Sequence, residues 1–233
     1  MLNFYSCGCT AIGDVPILSR CGLHGGHVVA LVKDQVNQIR SFRSGDIRIK
    51  HKPLPAVIAD CRSKNISFDL IAAYPEHASF YAHDSLVEKG WRRKINPLIG
   101  DLHSLLTDDG HMLLIIEQTL LARALYDCFM SGFELNSVTL VSSVIAHEPY
   151  HKLWPEFYVY KFALLFSKHG EGLQLPEYVP MSKLHKHLEP LRPKKLLELS
   201  CIHPPFLHLA DKTLGVCENY SRYVKLKAQL CES

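Results

Sequence analysis

The sequence predicts an α/β domain, an open and mostly parallel sheet with helices on both faces. Three observations predict it. Short apolar runs of strand length alternate with segments of helical spacing along most of the chain. The breaks between them carry helix-stop and turn residues, such as Ser131-Gly132 and Asp108-Asp109-Gly110. Hydrophobic residues make up 47% of the 233, enough for a sizeable core.

Taken in order, residues 1–40 read as a small separate element and residues 41–233 as the main domain. From Arg40 to Lys52 the chain is basic and irregular, a junction between the two. Residues 55–61 read as a short helix and residues 68–73 as a buried strand. Residues 84–106 read as a helix that ends at the turn Thr107-Asp108-Asp109-Gly110, with the next strand at 111–116. Residues 119–130 have helical spacing and stop at Ser131-Gly132. Strands at 133–143 and 159–167 form an antiparallel pair around an aromatic, proline-bearing loop at 148–156. A short helix spans 181–189. The chain closes with a strand at 195–200, a turn at 208–212, a strand at 214–218 and an amphipathic helix at 220–230.

Composition narrows the partners and the compartment. A formal charge of +3 is mildly basic, compatible with nucleic-acid contact and equally common in proteins that bind none. No run reaches the ~18 apolar residues that a membrane span needs, so no membrane partner is expected. The N-terminus has no basic start followed by an apolar run, so no secretory leader is expected. Cys61, Cys128, Cys201, Cys217 and Cys231 have no spaced partner, which suits buried thiols in a reducing cytoplasm. No nucleophile elbow and no phosphate-binding glycine loop is present.

The stretch Phe68-Asp69-Leu70-Ile71-Ala72-Ala73-Tyr74-Pro75-Glu76-His77 resembles the catalytic strand of DNA amino-methyltransferases, which ends in an Asp-Pro-Pro-Tyr-type tetrapeptide. Leu105-Leu106-Thr107-Asp108-Asp109-Gly110 is similar to the turn that follows in that family, and Ser131-Gly132-Phe133 to the ending of its next helix. Lys195-Leu196-Leu197-Glu198-Leu199 stands where the family has its cofactor-binding strand. Leu214-Gly215-Val216-Cys217-Glu218 stands where a strand ends in the acid that holds the cofactor ribose. The resemblance covers residues 45–230 and implies a Rossmann-like methyltransferase fold with S-adenosylmethionine as cofactor. Because the catalytic half comes first, it implies the permuted, beta-class-like branch acting on cytosine N4 or adenine N6. Tyr74, Pro75, Glu76 and His77 then stand at the target base, and Glu198, Ser200 and Glu218 at the cofactor.

The chain departs from that family where the chemistry is done. Reaction at an exocyclic amine needs an acceptor for its hydrogens, and the family's aspartate is replaced by Tyr74. Glu76 replaces a proline and His77 the final aromatic. The cofactor turn needs glycines for close backbone approach, whereas Ser200-Cys201-Ile202-His203-Pro204-Pro205 has none and carries two prolines. These departures predict a catalytically degenerate protein that binds nucleic acid or joins a larger assembly. The alternatives are an active S-adenosylmethionine-dependent amino-methyltransferase and a purely structural subunit with a protein partner.

Two further groups are candidates. Cys7, Cys9, Cys21 and His24, with His27 as an alternative fourth ligand, have the spacing of a small structural zinc knuckle. Gly8 and Gly22 let the backbone bend around the metal, and a closed site of this kind folds a segment too small for its own core. The competing reading is cytosolic thiols and surface histidines. Arg40, Arg43, Arg48, Lys50 and Lys52 form one basic cluster, Arg92 and Arg93 beside Trp91 a second, and Arg192, Lys194 and Lys195 a third. Any one of them reads first as ordinary solvated charge, and their sum points toward phosphate contact. Glu117, at the end of a strand, is a further candidate, and Asp69 reads as a structural contact.

Overall fold

The computed structural model describes residues 40–74, 95–145, 158–170, 172–199, 206–218 and 220–231. Among the described residues eight strands form one sheet: β1 (Arg40–Ser44), β2 (Ile47–His51), β3 (Phe68–Ala73), β4 (Leu106–Glu117), β5 (Glu134–Ile145), β6 (Tyr158–Ser167), β7 (Lys195–Leu199) and β8 (Lys212–Val216). Their spatial order is β1-β2-β8-β7-β3-β4-β6-β5. The run β2-β8-β7-β3-β4 is parallel throughout. Antiparallel strands close both edges, β1 on β2 and β6 between β4 and β5. The expected parallel sheet is therefore the centre of a mixed one.

Each face of this sheet is covered. Helices α1 (Leu54–Ser63), α2 (Pro97–Leu105) and α3 (Leu121–Met130) bury Leu54, Ile58, Ile99, Leu102, Ala124 and Cys128 in one cluster with Ile71 and Ala73 of β3. On the other face, α4 (Leu184–Leu188) places Leu184 and Leu188 over Leu70 and Ala72 of the same strand. This alternation is the period of two that a strand buried on both sides requires. A third cluster joins α5 (Tyr220–Cys231), through Tyr223, Leu226 and Leu230, to Ile49 of β2 and Cys217. Among the described residues no helix is long and apolar enough to cross a membrane.

Several expectations need correction. The stretch read as an irregular junction is the hairpin β1–β2, turning at Gly45-Asp46, and β2 pairs in parallel with β8. The turn expected at residues 107–110 lies inside β4. Phe68 pairs with Leu106 and Leu70 with His111, so the intervening residues bulge out of the ladder. A Cβ on Gly110 would meet Leu106 Cγ at 2.7 Å, which is why this position lacks one. Of the helix expected at 84–106, the described part is a helix that starts at Pro97, where the Asn96 side chain accepts from Leu98 N at 3.0 Å. The last strand lies two residues earlier than expected, at 212–216. The helix expected at 181–189 is one short α-helical segment between two 3₁₀ turns.

Candidate functional site

Sheet topology points to one end of the molecule. From β3 the chain moves to β4 on one side, and from β7 it moves to β8 on the other. The order thus reverses between two adjacent parallel strands, β7 and β3. In open α/β sheets the crevice at the carboxyl ends of such a strand pair is the usual ligand position, because the connecting segments there diverge.

Tyr74 stands at that crevice. Its backbone N–H donates to Leu199 O at 3.3 Å, carrying the β3–β7 pairing one residue past the end of the strand. Its half-buried side chain packs against the cluster beneath α4. Lys161 of β6 donates to the Tyr74 hydroxyl oxygen at 2.8 Å, and its Nζ lies 5.2 Å from the ring centre. Lys161 pairs in register with Glu117, the last residue of β4. Leu70 and Ala72, Leu113 and Ile115, and Ala163 and Leu165 share one cluster, so Tyr74, Glu117 and Lys161 continue that face across three neighbouring strands. Sequence reasoning singled out Tyr74 and Glu117 and missed Lys161. The signal was one cation at the period-two position of Ala163 and Leu165.

Glu198 belongs to the same face. It is 4% exposed and pairs in register with Ala72 on one side and Gly215 on the other, two small neighbours that leave room for its carboxyl. Burial pushes that carboxyl from 4.5 to about 8, so it holds its proton at neutral pH. Glu218 is placed differently. Its carboxylate accepts from Leu54 N at 2.6 Å, supplying α1 with the cap that Pro53 has no side chain to provide. Nearby, His51 Nδ1 contacts Cys217 O at 2.8 Å, and the imidazole lies tilted against Tyr223. The two predicted cofactor acids are thus separated, one inside the sheet and the other at a helix start.

The basic residues divide in a similar way. Arg43 is 72% exposed and Arg48 is exposed, and they are direct cross-strand partners on the hairpin. Lys50 is drawn into an ion pair with Asp60 at 3.0 Å, and Lys64 reaches the same carboxylate at 2.7 Å. Hydrogen bonds from Lys64 and then Lys50 hold the Asp60 carboxyl down at about 2. Lys52 is half-buried just beyond β2. Asp69 is structural, as expected: one oxygen accepts from Lys194 N and Lys195 N, both at 2.9 Å, pinning the entry to β7. Cys61 and Cys128 are buried free thiols whose titration burial pushes up, and Cys217 is buried as well.

Pro75, Glu76, His77, Ser200, Arg92, Arg93 and the aromatic loop at 148–156 lie outside the described residues, as do Cys7, Cys9, Cys21, His24 and His27. The side chain of Arg40 lies outside them too. Among the described residues no group of three or more His, Cys, Asp or Glu is arranged to hold a metal.

The structure of M1.HpyAVI matches with a TM-score of 0.55 at 14% identity, covering 80% of this chain and 99% of that one. The M1.HpyAVI-SAM complex matches with a TM-score of 0.54 at 12% identity, covering 79% and 98%. The cytosine-N4-specific PvuII DNA methyltransferase matches with a TM-score of 0.52 at 10% identity, covering 80% and 86%. The chain has the methyltransferase fold. No protein-family model matches it, and no curated protein matches its sequence. At these identities the methyltransferase likeness is one of architecture.

Proposed function

We propose that this methyltransferase-fold protein binds nucleic acid and does not transfer a methyl group. The observation that carries the reading is the contact between Lys161 and Tyr74. Removing hydrogen from an exocyclic amine needs an acceptor at the end of β3. That position holds a phenol whose oxygen already accepts from an ammonium 2.8 Å away. The cofactor half supports the same conclusion. The acids expected at the cofactor stand apart, Glu198 buried inside the sheet with its carboxyl pushed up to about 8 and Glu218 accepting from Leu54 N at the start of α1. Strand order supports the permuted arrangement, since β3 precedes β7 and β8 in the chain yet lies beside β7 in the sheet.

The hairpin bearing Arg43 and Arg48 is the proposed contact for phosphates, with Arg40, Lys52, Arg92 and Arg93 adding to it. Residues 1–40 are the proposed zinc element, appended to a domain at 41–233 and folded by Cys7, Cys9, Cys21 and His24 in a reducing cytoplasm. A second reading, an active amino-methyltransferase, draws on the architecture shared with the M1.HpyAVI-SAM complex.

Calorimetric titration of the full, metal-replete chain separates the two. The expected result is no saturable heat with S-adenosylmethionine and saturable binding of single- or double-stranded oligonucleotides. Micromolar cofactor binding with methyl incorporation into an oligonucleotide would establish the second reading instead.

A further inference from the structure

We infer that a cavity at the opposite end of the sheet, at the amino ends of β7 and β8, is a nucleotide site. Its volume is about 570 Å³, within the range of small-molecule sites. His185 of α4, Glu189 and Arg192 of the turn that follows, and His208 and Asp211 of the segment before β8 line it. Pro193 and Leu209 supply an apolar wall. None of these residues belongs to the crevice or to the basic hairpin, so the inference stands apart from the reading above.

The lining matches the parts of a nucleotide. Arg192 offers the planar fork that fits a phosphate, with the imidazoles of His185 and His208 as neighbouring donors. Glu189 and Asp211 are acceptors of the kind that hold ribose hydroxyls. The apolar wall suits the face of a base. Two further features indicate that the lining serves a ligand. His185 Nδ1 is buried and has no hydrogen-bond partner, a state that a folded protein normally avoids. Arg192 adopts a left-handed backbone conformation with φ 42° and ψ 53°, which strains any residue with a Cβ and which glycine would take freely.

A metal site is disfavoured, because the guanidinium opposes a cation and the histidines and acids do not converge as ligands. Exposed Lys194, Lys195 and Lys212 flank the cavity in sequence and raise the positive potential around it. The shared chemistry is a phosphate on a nucleoside, which a free mononucleotide and a nucleic-acid strand both provide.

Arg192→Gly is the decisive variant, since it removes the guanidinium and relieves the backbone at once. Its melting temperature is expected to equal or exceed that of the native chain, which excludes unfolding as the cause of any loss. Calorimetry at low salt would use inorganic phosphate, adenosine 5′-monophosphate and a short single-stranded oligonucleotide on the full chain. The expected outcome is binding that the variant weakens by roughly tenfold or more. Loss seen with the mononucleotide assigns a free nucleotide to the site, and loss confined to the oligonucleotide assigns a strand. A native chain that binds none of the three, or a variant that binds all that the native chain binds equally well, overturns the inference.

Discussion

Between Ala72 and Gly215, Glu198 is held by burial as a neutral acid with its titration near pH 8 rather than 4.5. The unfolded chain releases that proton above about pH 4.5 while the folded chain keeps it until about pH 8. The contribution to stability is therefore full below pH 4.5, falls as pH rises, and levels off above 8. Its slope in that window reaches at most about 1.4 kcal/mol per pH unit. Glu198→Gln is expected to flatten the profile and to leave the variant more stable than the native chain at pH 8. Denaturant titrations at pH 5, 6.5 and 8 check this, and parallel slopes for the two proteins would refute it. Tyr74 and Glu198 were legible because each sits at or near the end of an apolar run. Lys161 was not, since its place beside Tyr74 depends on an antiparallel register that no local pattern specifies. The helix-capping use of Glu218 was hidden for a similar reason, its partner being 164 residues away.

Individual elements show where local pattern suffices and where tertiary context overrides it. At the end of α3, Ser131-Gly132 stops the helix as expected: Phe133 N donates to Cys128 O at 3.0 Å, and Gly132 takes φ 90°. A Cβ at Gly132 would also stand 3.4 Å from His103 Nε2, and that ring packs edge-on against Phe133 at 4.8 Å. Gly132→Ala is therefore expected to cost about 1–2 kcal/mol, from backbone strain with a small shift of His103. A clear drop in melting temperature checks it, and an unchanged value would mean that the turn relaxes freely. The bulge in β4 is the opposite case. Thr107-Asp108-Asp109-Gly110 has turn chemistry, yet β3 and β6 hold its flanks in line and absorb it as a bulge. The β1–β2 hairpin was overlooked because its arginines dominate the composition. Its alternation was nevertheless present, with Ile49 and His51 buried while Arg48 is exposed and Lys50 half-buried.

Over the whole molecule, one end of the sheet carries Tyr74, Lys161 and Glu117, the other carries the Arg192 cavity, and the hairpin edge carries exposed arginines. The alternation of strands and helices was enough to anticipate the parallel centre, because parallel strands need covering crossovers. It did not reveal that the basic stretch closes the sheet's far edge. That placement gives the proposed nucleic-acid surface a distinctive energetic mark. Arg43 and Arg48 are direct cross-strand partners, and like charges so placed disfavour the pairing, with Asp46 offsetting only one of them from 3.6 Å. Replacing both by glutamine is expected to leave the melting temperature unchanged or higher. If the hairpin meets phosphates, the same variant binds oligonucleotides more weakly. Its dependence of log affinity on log salt flattens by roughly 1.5, the share of two lost phosphate contacts. Stability and binding would then move in opposite directions, which a purely structural hairpin does not produce. An unaltered salt slope would remove the hairpin from the interface.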